Sequence, residues 1–296
     1  MQHSTVHIQE QPIAGLVVYW TASDCVYSDL AAAFKAAGLA RCMEPARSPI
    51  VALRTALTKQ TSFLPGIELK PLKGYSGIEV VQVTRRTAKQ GGNIYTPILH
   101  AFFEELDGRL SQVPRFIWKQ IEHIPIGSIK EIEARYAHEL RLLGKHKVSR
   151  CLARVVDHLW GTPFRAKGAV YWLPADRLDQ WEAAAQAVTA SAVEGGHPTL
   201  HAMKIVHDPA SVAAVTAAVA EEVARDAARL SEGLSDTRTT VAVVQARMKA
   251  ADELLTRVSH YEKCLGSSLQ AVRDQLETVK DAAAVAVLMA AAGGAK

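Results

Sequence analysis

The periodicity of apolar and polar positions changes several times along the chain, and each change marks a new element. The run from Gly15 to Trp20 is β-branched and aromatic, is followed by Ser23 and Asp24, and predicts a buried strand entering a capped segment. In "SDLAAAFKAAGL", Leu30, Phe34 and Ala37 recur at helical spacing between a Ser28 cap and a Gly38 stop. A second helix opens at Ser48-Pro49, where the missing proline donor costs nothing. From Ile67 to Val113 the period falls to two. "IEVVQVTRR" and "NIYTPILHAFFEEL" predict strands joined by "TAKQGG", and Asp107-Gly108 signals another turn, so this stretch reads as an antiparallel meander.

Helical spacing returns at Ser128, which forms a capping box with Glu131, and that helix is expected to stop at Gly144. After the short basic linker "KHKV", a further helix is expected from about Ser149, with Leu152, Val155, Val156 and Leu159 on one face and a stop at Gly161. "TPFRAKGAVYWLP" then reads as two short strands, and "TLHAMKIVHDP" as another. Val-Tyr-Trp ends both "GLVVYW" and "GAVYW", each with an aspartate four residues after the tryptophan. Aromatic strand ends buried beneath helices account for this; an old duplication is the alternative.

From Ala210 to Leu230 the chain is helix-favouring, and "EGLSDT" breaks it. Beyond the break, position a of a heptad holds Val241, Met248, Leu255, Glu262, Leu269, Leu276 and Ala283. Position d holds Val244, Ala251, Val258, Leu265, Val272, Val279 and Ala286. A continuous helix over 237–292 would be about 80 Å long and would have to pair with the preceding helix, another copy or a partner. Glu262 is the polar member of this seam, either paired with Lys263 or Arg257 or marking where the seam ends.

These elements predict an α+β protein: a mixed α/β body with an antiparallel meander and a winged-helix-like segment, plus a long C-terminal helical hairpin or coiled coil. The expected divisions are an N-terminal α+β domain over 1–125, the helix-turn-helix-like segment with its hairpin and the following strand–helix unit over 126–208, and the long helices over 209–296.

Composition narrows the function classes. A hydrophobic share of 49% in 296 residues supports a substantial core. The formal net charge is only +4, so any affinity for polyanions must come from local clustering. Cys25, Cys42, Cys151 and Cys264 form no C-x-x-C pair and read as reduced, separately packed thiols. The amino terminus is polar, and no run approaches the roughly 20 apolar residues of a membrane span, so a cytoplasmic protein without a membrane partner is expected.

Nucleotide and hydrolase signatures are missing: "LLGKHK" lacks the upstream glycine and the hydroxyl residue of a P-loop, and "GYSGI" is not a nucleophile elbow. His197, His201 and His207 lie close together around a predicted strand, with no neighbouring cysteine or paired carboxylate, and His100, Glu104 and Glu105 lack a nucleophile. No catalysis, cofactor or metal is therefore expected.

Basic residues carry a sharper signal. Lys147, Arg150, Arg154 and His158 share one helical face away from the apolar stripe, and Lys145 precedes them. Arg165 and Lys167 mark the next hairpin, and Arg85, Arg86 and Lys89 the tip of the upstream one. Over "ARYAHELRLLGKHKVSRCLARVVDHLWGTPFRAKGAVYWLP" the order of elements resembles winged helix-turn-helix modules. That resemblance implies a recognition helix from Ser149 and a wing tip at Arg165 to Lys167, although no Asn or Gln stands ready to read adenine. With "YWT…DLAAAFKAAGL", "VYWLP" and "HYEKCL", the whole chain also resembles an uncharacterised family of phage and mobile-element proteins, which implies a DNA-handling context. The expectation is a non-enzymatic nucleic-acid-binding protein, DNA favoured, that forms homo-oligomers through Val241, Met248, Leu255, Glu262, Leu265, Leu269 and Leu276. The rival expectation is an assembly protein whose coiled coil acts without nucleic acid.

Overall fold

The computed structural model describes residues 12–85, 92–106, 109–119, 128–164, 170–232 and 240–293. The chain opens with β1 (Ile13–Thr21), β2 (Cys25–Val26) and α1 (Tyr27–Ala36), then a 3-10 turn at Ala40–Cys42. Next come α2 (Pro49–Thr61), β3 (Ile67–Pro71), β4 (Ser76–Thr84), β5 (Ile94–Phe103), β6 (Glu105–Leu106), β7 (Arg109–Leu110), β8 (Arg115–Trp118) and α3 (Ile129–Arg141). β9 (Leu142–Leu143), α4 (Lys145–His158), β10 (Thr162–Pro163) and β11 (Val170–Leu173) follow, then a 3-10 turn at Ala175–Arg177, α5 (Leu178–Ala190) and β12 (Thr199–Val206). Three helices finish the chain: α6 (Pro209–Ser231), α7 (Val241–Leu265) and α8 (Gln270–Gly293). The fold is α+β, as the alternating periods imply.

At the centre lies an antiparallel sheet in the order β10-β11-β1-β12. Strand side chains alternate between faces, so the sheet serves two cores. Leu16, Val18, Trp20 and Leu173 join the core beneath α1, α4 and α5, while Ala14 and Trp172 join the core beneath α6, α7 and α8. The two Val-Tyr-Trp segments are thus antiparallel neighbours, with Val18 opposite Tyr171, and their tryptophans serve opposite faces. Trp20 stacks on Tyr171, and its indole N–H donates to Ser149 Oγ at 2.9 Å. Trp172 meets Tyr261 edge to face at 5.2 Å. Its indole passes so near Gly15 that a Cβ there would lie 2.1 Å from Nε1, which restricts the position to glycine.

The expected domain limits need correction. β1 pairs with β11 and β12, and one core unites Leu16 to Cys42 with Leu143 to Val188, so the division at 125 cuts through a single unit. The meander is present as the sheet β3-β4-β5-β8, packed on α2 and α3 around Ile78, Val80, Leu99, Ile132 and Tyr136. It is inserted between two halves of one layer. The Ser128–Glu131 capping box forms, but α3 ends at Arg141, because Leu142 and Leu143 pair with Cys25 and Val26. "KHKV" is the first turn of α4 and no linker: Gly144 is the N-cap and Asp24 Oδ1 accepts from the Lys145 N–H at 2.7 Å.

Of the two expected forms of the C-terminal region, the chain takes the helical hairpin. Gly266 takes φ 60° and ends α7, and the chain returns as α8. Glu262 marks this break. It accepts from the Leu269 N–H at 2.8 Å and pairs with Arg273, which holds its carboxyl below the ordinary glutamate range. The heptad stripe is buried, as its periodicity implies, but against α6 and the returning half of the hairpin. Val244, Val258, Leu265, Leu269, Val272 and Leu276 all lie in one intrachain core, with Met248 and Leu255 at its margin, and Ala251 is buried. A second copy is not required to cover them. The side chain of Val241 lies outside the described residues.

A buried polar network fastens this bundle to the rest. Arg257 Nη2 donates to the Gly161 carbonyl at 2.7 Å and pairs with Glu222 of α6 at 3.3 Å. Arg257 Nε donates to Tyr261 Oη, and that hydroxyl donates to the Trp160 carbonyl at 2.5 Å and lies 3.2 Å from Thr162 Oγ1. Burial pushes the Tyr261 hydroxyl up to about 12 and raises Glu222 despite its partner. Removing one member leaves an unpaired buried charge. Arg257→Ala is expected to cost about 3–5 kcal/mol in urea unfolding, and the double replacement Arg257→Met with Glu222→Met to recover most of it. An additive double mutant would show that the two side chains act separately.

Candidate nucleic-acid interface

The basic face of α4 is built by two segments. The helix turns Val148, Cys151, Leu152, Val155 and Val156 into the core, which sets its cationic flank against the stretch from Arg41 to Arg47. There Glu44 is held by its backbone N–H, which lies 3.2 Å from Cys151 Sγ, and its carboxylate is 6% exposed. Arg150 reaches one of its oxygens at 2.9 Å and Arg154 the other at 2.7 Å. Arg154 also donates to the Met43 carbonyl at 3.1 Å, and Lys147 to the Pro45 carbonyl at 2.9 Å.

Two guanidinium groups therefore share one carboxylate, and their side chains stay 62% and 50% exposed. Lys145 is exposed on the first turn. At the other end the Arg41 guanidinium lies against the His158 ring, 2.8 Å from Nε2. Burial and the nearby Arg41 and Arg177 cations hold His158 below its ordinary pKa, so it is a neutral partner here. Arg47 turns away to Glu139, which it shares with Lys59 at 2.5 Å.

Other sequence-derived positions lie elsewhere. Arg85 is exposed at the end of β4 on the inserted unit, while Arg86, Lys89, Arg165 and Lys167 fall outside the described residues. The strands flanking Arg165 and Lys167, β10 and β11, are built into the central sheet beside β1. His100, Glu104 and Glu105 are not gathered into an acid–base site: His100 pairs with Glu79 at 2.9 Å and Glu104 with Arg115 at 2.9 Å. His201 stacks on Tyr19, and His207 contacts the Leu265 carbonyl at 3.0 Å.

Sequence reasoning overlooked Arg41, Glu44 and Arg47. Their signal was the charged string "RCMEPAR", which reads as an ordinary loop until α4 is set beside it. Glu139 was overlooked too. Burial opposes its charge, but Lys59 and Arg47 outweigh that and hold its carboxyl below the ordinary value of 4.5. A depressed carboxylate contributes stability that is fully present above 4.5 and lost as the pH falls through the lower native value. Glu139→Gln is expected to cost about 2 kcal/mol at neutral pH and to flatten the acid limb of the stability–pH curve. An unchanged limb would show that another carboxylate sets it.

No helix among the described residues is long and apolar enough to cross a membrane. No curated protein and no solved structure matches the chain. A family model described as a family of unknown function (DUF6744) matches residues 13–293, which span every strand and helix named above, and the chain belongs to that family.

Proposed function

We propose that this chain is a non-enzymatic nucleic-acid-binding protein, DNA favoured, whose contact surface is the ridge formed by α4 and the segment from Arg41 to Arg47. The observation that carries the reading is the sharing of Glu44 by Arg150 and Arg154, which leaves more positive than negative charge on an exposed ridge. Lys145 and Lys147 extend the ridge toward the N-terminus of α4. Several fixed cations along one helix suit a phosphate backbone, because each contact releases condensed counterions from the polyanion. A small anion would engage only one or two of them.

The reading sets the helix flank on the phosphates and assigns no base-reading side chain, so binding is expected to depend on salt far more than on sequence. Fluorescence anisotropy with labelled single- and double-stranded DNA across a salt series tests it. Arg150→Glu with Arg154→Glu should weaken binding and lower the slope of log affinity against log salt by about 2. Glu44→Gln releases both arginines and should tighten binding, with thermal melts confirming that each variant is folded. Unchanged affinity in the double arginine variant would remove the ridge from the account.

The rival reading, assembly without nucleic acid, keeps one observation of its own. Among the described residues β12 ends the central sheet, pairs with β1 alone, and exposes Met203 and Val206. Negligible DNA binding at low salt, together with self-association that Met203→Lys abolishes, would favour it.

A further inference from the structure

The turn after β11 and one side of α7 bring three metal-ligating side chains together. His260 and Cys264 stand one helical turn apart on α7, and Asp176 arrives from the 3-10 turn at Ala175–Arg177. His260 Nε2 lies 3.2 Å from Asp176 Oδ1 and 3.4 Å from Cys264 Sγ, and the three ligand atoms are within 4.8 Å of one another. A tetrahedral zinc ion with ordinary bond lengths separates nitrogen from oxygen by about 3.3 Å and nitrogen from sulfur by about 3.6 Å. The two distances from His260 match those edges of such a site, and the third falls within 4.8 Å.

Hydrogen bonding explains the convergence less well. One imidazole nitrogen faces both partners, and in the neutral ring it serves as donor or as acceptor, whereas a cation among the three atoms engages all of them. The surroundings also hold His260 in place. α4 ends with Trp160 at φ 61°, a left-handed position that usually takes glycine and costs a bulky residue about 1–2 kcal/mol. The Trp160 N–H bonds to the Asp157 carbonyl, the Gly161 N–H to the Val156 carbonyl, and the Trp160 carbonyl receives the Tyr261 hydroxyl. That backbone sets the indole edge to face with His260 at 5.1 Å, with the Arg177 guanidinium over it at 5.1 Å. Strain retained beside a cluster of ligating groups is the pattern of a functional site.

We propose that Asp176, His260 and Cys264 bind one borderline-soft divalent cation, zinc foremost, and so tie the β11–α5 connection to α7. A carboxylate, a thiolate and a neutral imidazole balance its two charges and match zinc's preference for mixed oxygen, nitrogen and sulfur ligands. Asp176 is 50% exposed, so the fourth position faces water. Burial, with Asp176 adding to it, keeps the free Cys264 thiol protonated; as the sulfur–metal bond forms, that proton passes to solvent. The sequence signal was present in "HYEKC", but the third ligand lies 84 residues upstream of His260.

The test uses the full chain, untagged and stripped of metal, titrated with zinc alone by calorimetry and with cobalt(II) by absorption spectroscopy. One ion per chain is expected, with a thiolate-to-cobalt charge-transfer band that Cys264→Ser removes. Asp176→Asn should weaken zinc at least tenfold, and zinc should raise the Tm of the wild-type chain but not of Cys264→Ser. These two variants lie at the rim and leave Trp160 in place, whereas His260→Ala also removes its packing partner. No binding by the wild-type chain, or zinc binding that survives both substitutions unchanged, would overturn the site.

Discussion

The architecture depends on how α7 meets the end of α4. Three consecutive residues, Trp160, Gly161 and Thr162, close that helix and open β10, and all three are engaged by Arg257 or Tyr261. A guanidinium buried at this point must be paired, and Glu222 of α6 supplies the charge. The same few atoms therefore fix where α4 stops, where the sheet edge begins, and how α6 and α7 lie on the sheet. Trp160 adopts its left-handed backbone in this setting, held by bonds on both its N–H and its carbonyl.

Charge is handled on the α4 side by the same rule at lower cost. Glu44 and Glu139 are both buried and each receives two cations, one set from α4 and the other from Arg47 and Lys59. Lys59 and Arg47 hold the Glu139 carboxyl below its ordinary range, and at Glu44 one carboxylate shared by two guanidinium groups leaves both of them partly exposed at the surface. This links stability to the proposed function: the contacts that seat the Arg41–Arg47 segment on α4 are made by the cations that the ridge would present to a polyanion.

Much of this was legible along the chain. The period-two stretch became β3, β4 and β5, the Ser128–Glu131 box capped α3, and the heptad stripe was buried almost residue for residue. What the pattern left open was continuity. A heptad repeat records which side of a helix is buried and is silent about what buries it, so one glycine at Gly266 converts an apparent long coil into a hairpin. Arg150 and Arg154 of α4 both reach Glu44, and nothing local in "RCMEPAR" revealed that Glu44 would meet them.

The sequence by itself determined the α+β class, the order of most elements, their buried faces and the basic flank of α4, because caps, periods and propensities act within a few residues. Only the tertiary structure decided that β1 lies between β11 and β12, that the meander is an insertion, and that Asp176 meets His260 and Cys264. Those outcomes depend on pairings between distant segments, which form when two apolar faces find one another and which leave no periodic trace in either segment alone.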